Sequence, residues 1–255
     1  MLARLKNLFH RNEAAPGAAV PEGARVYAIG DIHGHFDMLR RLAESIEADD
    51  GAAAPAQTTV ILLGDLVDRG PHSARVIDFA REWQRSRDVR ILCGNHEEMF
   101  LRSFENEDVL RHFLMHGGRE TILSYGLAED RYRRASLAEL TEWMRAHVPP
   151  ADLDFIRSFE DMIAIGDYLF VHAGIAPEIA LEEQTASDLR WIREPFLSYP
   201  GDHGHVVVHG HTITRNAEDR GNRIGIDTGA YCYGRLTALV LEGTRRRYLE
   251  TRADP

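Results

Sequence analysis

Short apolar runs, each ending at glycine or a polar cluster, are the feature that most constrains how this chain folds. They are rich in Val, Ile and Leu and are typical of buried strands. The runs are 26–29, 60–63, 89–92, 168–171, 206–208 and 224–226. Amphipathic segments of helical length, 36–47 and 73–86, separate the first three runs. This β-α-β-α-β order predicts an α/β fold with parallel strands joined by right-handed crossovers.

The second half of the chain adds a different pattern. Residues 162–165 and 168–171 flank Gly166-Asp167, a spacing typical of a β-hairpin, so we expect antiparallel pairing there. Residues 97–159 are expected to be helical, and a capping box at 136–139 opens a helix over 137–147. The pattern predicts one folded domain over 24–243 with a helical elaboration in the middle. We expect a flexible N-terminal arm over 1–23 and a C-terminal tail over 244–255.

Composition limits the classes of function. Thirty Lys and Arg against 40 Asp and Glu give a net charge of −10, which disfavours nucleic-acid binding. The apolar runs are far shorter than the roughly 20 residues of a membrane-spanning helix, so we expect no membrane span. The basic stretch 2–11 lacks the pattern of a signal peptide, which favours a cytoplasmic location. Two cysteines are too few for a disulfide framework. The oligomeric state is left open.

Residue types that bind metals follow five of the strands directly. They are Asp31 and His33, Asp65, Asn95, His172 and His211. Because the carboxyl ends of neighbouring parallel strands share one edge of a sheet, we expect a single polar site there. A glycine precedes four of these positions, and we expect it to let the backbone bend so that the next side chain enters the site. Carboxylate, imidazole and amide ligands suit Mn, Fe or Zn.

Several short motifs occur together in this chain. They are GD-x-HG at 30–34, GD-x-VDRG at 64–70, GNHE at 94–97, HAG at 172–174, WIRE at 191–194, GHT at 210–212 and DTGA at 227–230. Together they resemble the phosphoprotein phosphatase family of metallophosphoesterases, and specifically its bacterial and phage-type branch. The resemblance implies a metallophosphoesterase fold, with mixed β-sheets in a sandwich flanked by helices, and a catalytic domain over 24–243.

The resemblance also implies two divalent metal ions, with Mn favoured and Fe or Zn as alternatives. It places Asp31 and His33 on one ion and Asp65 as a bridge between the two. Asn95, His172 and His211 would hold the other ion. A hydroxide bridging the ions would attack the phosphorus in line.

Four further residues have roles by the same resemblance. His96 would protonate the leaving group, and Asp68 would orient its imidazole. Arg69 and Arg193 would bind the phosphate. One departure is Cys93, which stands where many members of the family have an arginine.

The function we expect is a phosphomonoesterase acting on phosphoserine and phosphothreonine in proteins, so the partner is a phosphoprotein or phosphopeptide. The alternatives are a dinucleoside tetraphosphate hydrolase on the same scaffold and an inactive binding module. The sequence shows no aromatic platform or basic cluster beside the motif loops to hold a dinucleotide. We expect the segment 116–118 and His209 to lie outside the site. Asp227 is either a supporting hydrogen-bond acceptor or a turn residue.

Overall fold

Two five-stranded mixed sheets face each other in the computed structural model, which describes residues 17–253. The first sheet has the order β10-β9-β1-β2-β3, and the second has the order β4-β5-β6-β8-β7. The strands are β1 Ala24–Ile29, β2 Gln57–Leu62, β3 Val89–Ile91, β4 Met162–Ile165, β5 Tyr168–Val171, β6 Val206–His209, β7 Glu218–Asp219, β8 Arg223–Gly225, β9 Arg235–Glu242 and β10 Arg245–Arg252. β1, β2 and β3 are parallel, as are β5, β6 and β8.

Helices cover the outer faces of the sandwich. They are α1 Phe36–Ala52, α2 Ser73–Ser86, α3 Asn95–Ser103, α4 Glu107–Phe113, α5 Arg119–Ser124, α6 Glu129–Tyr132, α7 Leu137–His147, α8 Pro150–Arg157, α9 Ala186–Trp191 and α10 Ala230–Tyr233. A π-helical turn, Leu114–Gly118, joins α4 to α5, and 3₁₀ turns occupy Leu181–Glu183 and Phe196–Ser198. The predicted helix 137–147 and its capping box are confirmed.

Strand alternation divides the core into layers. In β1, Val26 and Ala28 face the second sheet, while Tyr27 and Ile29 face the helices. The second sheet also buries its outer face, where Leu169 packs against the segment containing α9. The expected sandwich flanked by helices, with a helical elaboration between β3 and β4, is therefore present.

The expected C-terminal tail is wrong. Residues 245–252 form β10, which pairs along its whole length with β9 at the edge of the first sheet. Alternate residues of β10 are exposed, and its charged composition hides the strand pattern from the sequence.

The expected N-terminal arm lies largely outside the described residues. Its described end is packed on the sandwich. The amide of Val20 donates to the Gly243 carbonyl at 3.0 Å, and Ala19 exchanges hydrogen bonds with Asp167 in the β4–β5 turn. Among the helices of residues 17–253, none is both long and apolar enough to cross a bilayer. The cytoplasmic location stays a prediction.

Candidate metal centre

Both sheets contribute to one buried polar cluster. Asp31 and His33 follow β1, Asp65 follows β2, and Asn95 and His96 open α3 directly after β3. From the second sheet, His172 follows β5 and His211 follows β6. All of these side chains are at most 8% exposed. The sequence predicted one polar crevice at the carboxyl ends of the strands. In the structure, this crevice lies where the strand ends of the two sheets meet.

The orientations of two imidazoles are fixed by main-chain carbonyls. His33 Nδ1 donates to the Val67 carbonyl at 2.9 Å, and His172 Nδ1 donates to the Leu63 carbonyl at 2.8 Å. Each Nε2 therefore carries a lone pair directed at Asp65, at 3.6 Å for His33 and 3.5 Å for His172. Burial lowers the pKa of both rings, so they are neutral and able to bind a cation.

Asp65 lies between two groups of possible ligands. His33, Asp65 and His96 form one group, and Asp65, His172 and His211 form the other, with ligand atoms within 4.8 Å of one another in each. Burial by itself disfavours the charged carboxylate, but the surrounding imidazoles hold the pKa of Asp65 below its usual range. Asp65 is therefore ionised and shared by both groups.

The donor set fits metal ions. Among residues 17–253, His211 Nε2 is a buried nitrogen without a hydrogen-bond partner, and burial lowers the pKa of this ring to about 3. His172 Nε2 lies 3.0 Å from Asn95 Oδ1, so two acceptors face each other. A cation would satisfy all three atoms, whereas leaving buried polar atoms unpaired costs free energy.

Asp31 joins the cluster through the backbone of the second sheet, and its role as a metal ligand stays a prediction. Its carboxylate accepts the backbone N–H of His211, at 3.1 Å to each oxygen, and lies outside the two ligand groups. Burial, with the nearby carboxylates of Asp227 and Asp65, raises the pKa of Asp31. Burial also raises the pKa of Asp227 to about 6. For three buried carboxylates in one cluster to be ionised together, positive charge must lie beside them. Metal ions would supply that charge.

His96 is positioned to exchange a proton. Its Nδ1 donates to Asp68 Oδ2 at 2.6 Å, and Asp68 Oδ1 accepts from the Thr121 hydroxyl at 2.6 Å. Burial disfavours the imidazolium, but the charges of Asp65 and Asp68 outweigh it and raise the pKa of His96. Its Nε2 faces the cluster, 3.9 Å from Asp65 Oδ2.

The two arginines differ in placement. Arg69 donates to His33 Nε2 at 2.9 Å and to His96 Nε2 at 3.0 Å, with its guanidinium 4.2 Å from the ring centre of Tyr231. Arg193 is exposed and makes no side-chain hydrogen bond within residues 17–253. Burial has the largest effect on the pKa of His211, and the charge of Arg193 also lowers it. This effect indicates that Arg193 lies near the cluster. Arg69 thus covers the cluster, and Arg193 stands at its rim.

Glu97 is the last residue of the GNHE motif, and it supports the cluster in a way that the motif alone does not predict. Its fully buried carboxylate accepts the backbone N–H of Asp65 at 2.8 Å and of Gly94 at 2.9 Å through one oxygen. The other oxygen accepts from Leu66 at 2.8 Å and Val67 at 3.3 Å. Burial raises the pKa of this carboxyl to about 7. Glu97 therefore ties the loop after β2 to the start of α3.

Gly117 supports the backbone of Arg69, although no residue of 116–118 is a proposed ligand. Gly117 has a φ of +106°, and its carbonyl accepts the Arg69 N–H at 3.0 Å. A Cβ on Gly117 would lie 2.6 Å from Arg69 Cγ, so only glycine fits here. His209, in contrast, is a core residue as expected. It is buried, and its Nε2 accepts from Arg223 at 3.3 Å.

The expected role of the motif glycines needs correction. Gly64 has a φ of +97°, which fits a bend in the backbone. Gly30, Gly94 and Gly210 instead allow a ligand side chain or the neighbouring sheet to approach closely. A Cβ on Gly94 would lie 2.1 Å from Asp65 Oδ1, and one on Gly210 would lie 2.1 Å from Asp31 Oδ1. Five site residues have a positive φ: +47° at His33, +50° at Asp65, +73° at Asp68, +68° at Arg69 and +61° at His211.

Cys93 is buried beneath the cluster. Its Sγ lies 3.6 Å from the Gly94 carbonyl, and burial raises the pKa of the thiol. Arg190 of α9 lies close enough for its charge to act on this thiol, and it is held by Asp161 at 2.7 Å. An inert, protonated thiol is the expected state of a cysteine in this setting.

Comparisons with known proteins agree with this geometry. The sequence model of the calcineurin-like phosphoesterases matches residues 24–236. An asymmetrical bis(5'-nucleosyl)-tetraphosphatase of Bacillus velezensis is 29% identical, over 82% of this chain and 86% of that protein. Serine/threonine-protein phosphatase 1 of Salmonella typhimurium is 30% identical, over 83% and 89% of the two chains.

The fold has relatives of known structure. A diadenosine tetraphosphatase candidate superimposes with a TM-score of 0.63 at 20% identity, over 92% of this chain and 97% of that chain. This likeness concerns the fold alone. The metallophosphoesterase fold expected from the sequence is confirmed. With the buried cluster and the family match over most of its length, the chain belongs to the calcineurin-like phosphoesterase family.

Proposed function

We propose that the protein is a hydrolase of phosphate esters or anhydrides that works with two divalent cations. The observation that carries this proposal is the pair of ligand groups sharing Asp65. His33, Asp65 and Asp31 would hold one ion, and Asp65, Asn95, His172 and His211 would hold the other. When bound, such ions activate water and offset the charge on phosphoryl oxygens. Manganese is the first choice for the metal, with iron or zinc as alternatives.

His96 is the proposed proton donor. The carboxylate of Asp68 favours the imidazolium, and its bond to Nδ1 directs Nε2 toward the cluster. When Nε2 carries a proton, it no longer accepts from Arg69. The guanidinium is then free to donate to phosphate oxygens, for which its planar fork is well suited. His96 delivers its proton to the leaving oxygen, and Thr121 keeps Asp68 in place through the transfer.

For the substrate, we propose a dinucleoside tetraphosphate ahead of a phosphoprotein. The Bacillus velezensis relative is named for that substrate, and two aromatic rings lie beside the cluster. Tyr231 is 40% exposed and stacks edge-on against His33 at 5.3 Å. Trp191 lies two residues before Arg193. Exposed aromatic faces next to a phosphate site are suited to bases.

Dephosphorylation of protein phosphoserine or phosphothreonine is the second candidate. The Salmonella relative, which matches nearly its whole length to this chain, supports it.

Direct comparison of substrates tests the proposal. The metal-depleted protein is reloaded with Mn²⁺, and kcat/KM is measured for diadenosine tetraphosphate and for phosphoserine and phosphothreonine peptides. A higher value for the tetraphosphate supports the first candidate, and a higher value for a peptide returns the function to the second. The H96N variant, purified in parallel, controls for contaminating phosphatases. No turnover of any phosphate substrate in the reloaded protein would overturn the hydrolase proposal itself.

A further inference from the structure

A cavity of about 260 Å³ opens beside the metal centre, between α3, α4 and the end of α9. Its walls include Met99, Val109, His112 and Trp191, and charged side chains also line it, namely Glu98, Arg102 and Asp108. Pockets for small organic ligands are mostly apolar, with a few polar groups, and start at roughly 300 Å³. The size therefore suits one flat ring system rather than a long chain.

The cavity is attached to the catalytic elements at three points. Met99 lies in α3, three residues after the proposed acid His96. Trp191 lies two residues before Arg193. The π-helical turn that follows α4 leads to Gly117, whose carbonyl holds the Arg69 backbone. The cavity and the metal centre therefore share α3 and the segment 191–193.

The walls present ring faces in a fixed position. The rings of His112 and Trp191 are 6.4 Å apart between centres. The Trp191 indole N–H donates to Glu98 at 3.1 Å, which holds the indole before any ligand binds. Burial, His116 and His96 lower the pKa of His112, which favours the neutral ring. Neutral flat rings favour stacking over ion pairing.

One edge of the cavity is polar. Asn106 caps α4, and its Oδ1 accepts the N–H groups of Asp108 and Val109 at 2.9 and 3.1 Å. This leaves the Asn106 amide N–H₂ as a donor at the cavity edge. A nucleobase offers both a flat face and ring acceptors, whereas a peptide backbone offers no aromatic face.

We propose that this cavity holds the nucleobase of a nucleoside phosphate whose phosphate lies at the metal centre. The inference rests on the proposed phosphohydrolase function and assigns the substrate class to a nucleotide rather than a phosphopeptide.

AMP and ribose 5-phosphate test the proposal because they differ only in the base. Both are used as inhibitors of 4-nitrophenyl phosphate hydrolysis by the Mn²⁺-loaded protein. We expect AMP to bind about 5- to 150-fold more tightly than ribose 5-phosphate, which is the range for stacking one base on an aromatic side chain. His112→Ala should shrink that ratio, and Val109→Trp, which fills the cavity, should bring it close to one.

His147→Ala is the matched control. His147 also stacks on a tryptophan, Trp143, at 4.3 Å between ring centres, but it lines a different cavity. This variant should keep the wild-type ratio. Equal inhibition by AMP and ribose 5-phosphate in the wild type would overturn the proposal, as would an equal effect of the two histidine variants.

A thermal-shift measurement with the same two ligands gives a second readout that needs no turnover. Together, the two assays distinguish a wrong substrate from a wrong base pocket. If the protein does not hydrolyse diadenosine tetraphosphate but still prefers AMP, the proposed substrate is wrong and the base pocket stands. If the tetraphosphate is hydrolysed but AMP has no advantage in either assay, the pocket is wrong and the hydrolase stands.

Discussion

Replacing Glu97 by glutamine should destabilise the protein more than any other single-atom change in the cluster. Each carboxylate oxygen accepts two backbone N–H groups, from Asp65 and Gly94 on one side and from Leu66 and Val67 on the other. In glutamine, one oxygen becomes an N–H₂ group that cannot accept. Two buried N–H donors would then face another donor.

The cost follows from the number of bonds lost. An unsatisfied buried donor costs about 1–3 kcal/mol, so two cost about 2–6 kcal/mol. Burial raises the pKa of Glu97 to about 7, so burying the charged carboxylate has a cost. The neutral amide of glutamine avoids this cost, which offsets part of the loss. We therefore expect the free energy of unfolding to fall by about 2–4 kcal/mol, which corresponds to about 4–16 °C in Tm for a domain of this size.

Urea denaturation in EDTA measures this loss without the contribution of metals. Glu105→Gln is the matched control because Glu105 is exposed in the same region, and it should change stability by less than about 0.5 kcal/mol. Because Glu97 holds the Asp65 loop, metal affinity should also fall, by about 10- to 100-fold. A Glu97→Gln variant as stable as the Glu105→Gln control would refute the reasoning.

Four other outcomes are expected. Asp65→Asn should lose bound metal and nearly all turnover, which metal analysis and kinetics measure together; two retained ions with a native rate would contradict the shared ligand. His96→Asn should lower kcat by about 10²–10⁴ with alkyl phosphates and less with 4-nitrophenyl phosphate, whose leaving group needs little protonation, and equal losses would exclude the acid role. Thr121→Val should reduce kcat by about tenfold while keeping the native fold by circular dichroism, since it removes both hydrogen bonds between the Thr121 hydroxyl and Asp68; an unchanged kcat would argue against it. Arg193→Ala should lower kcat/KM with little change in Tm, because the side chain is exposed, and the opposite result would make it structural.

Much of the cluster follows from the sequence because its members lie directly after strands. A short buried strand ending in glycine and a carboxylate or imidazole fixes where that side chain emerges, and parallel strands share an edge. This brings Asp31, Asp65 and Asn95 together without further information. The hairpin at β4 and β5 is equally local, since two turn residues set its register.

Other features depend on contacts between distant parts of the chain. The hydrogen bond between Asp68 and Thr121 joins residues 53 positions apart, and Glu97 reaches back about 30 residues to the Asp65 loop. Local periodicity carries no information on such pairs. The strand β10 was likewise missed, because an edge strand with one exposed face tolerates the charged residues of a tail.

The sequence by itself determined the strands that carry the ligands, the two helices between the first three strands and the ligand types, because these depend on strand periodicity and on chain order. Only the tertiary structure decided that Asp31 faces the His211 backbone, that Gly117 supports Arg69, and that His112 and Trp191 enclose a cavity beside the centre. These arrangements depend on how the second sheet and the helical elaboration pack against the first sheet, and packing is decided by shape and burial over the whole domain.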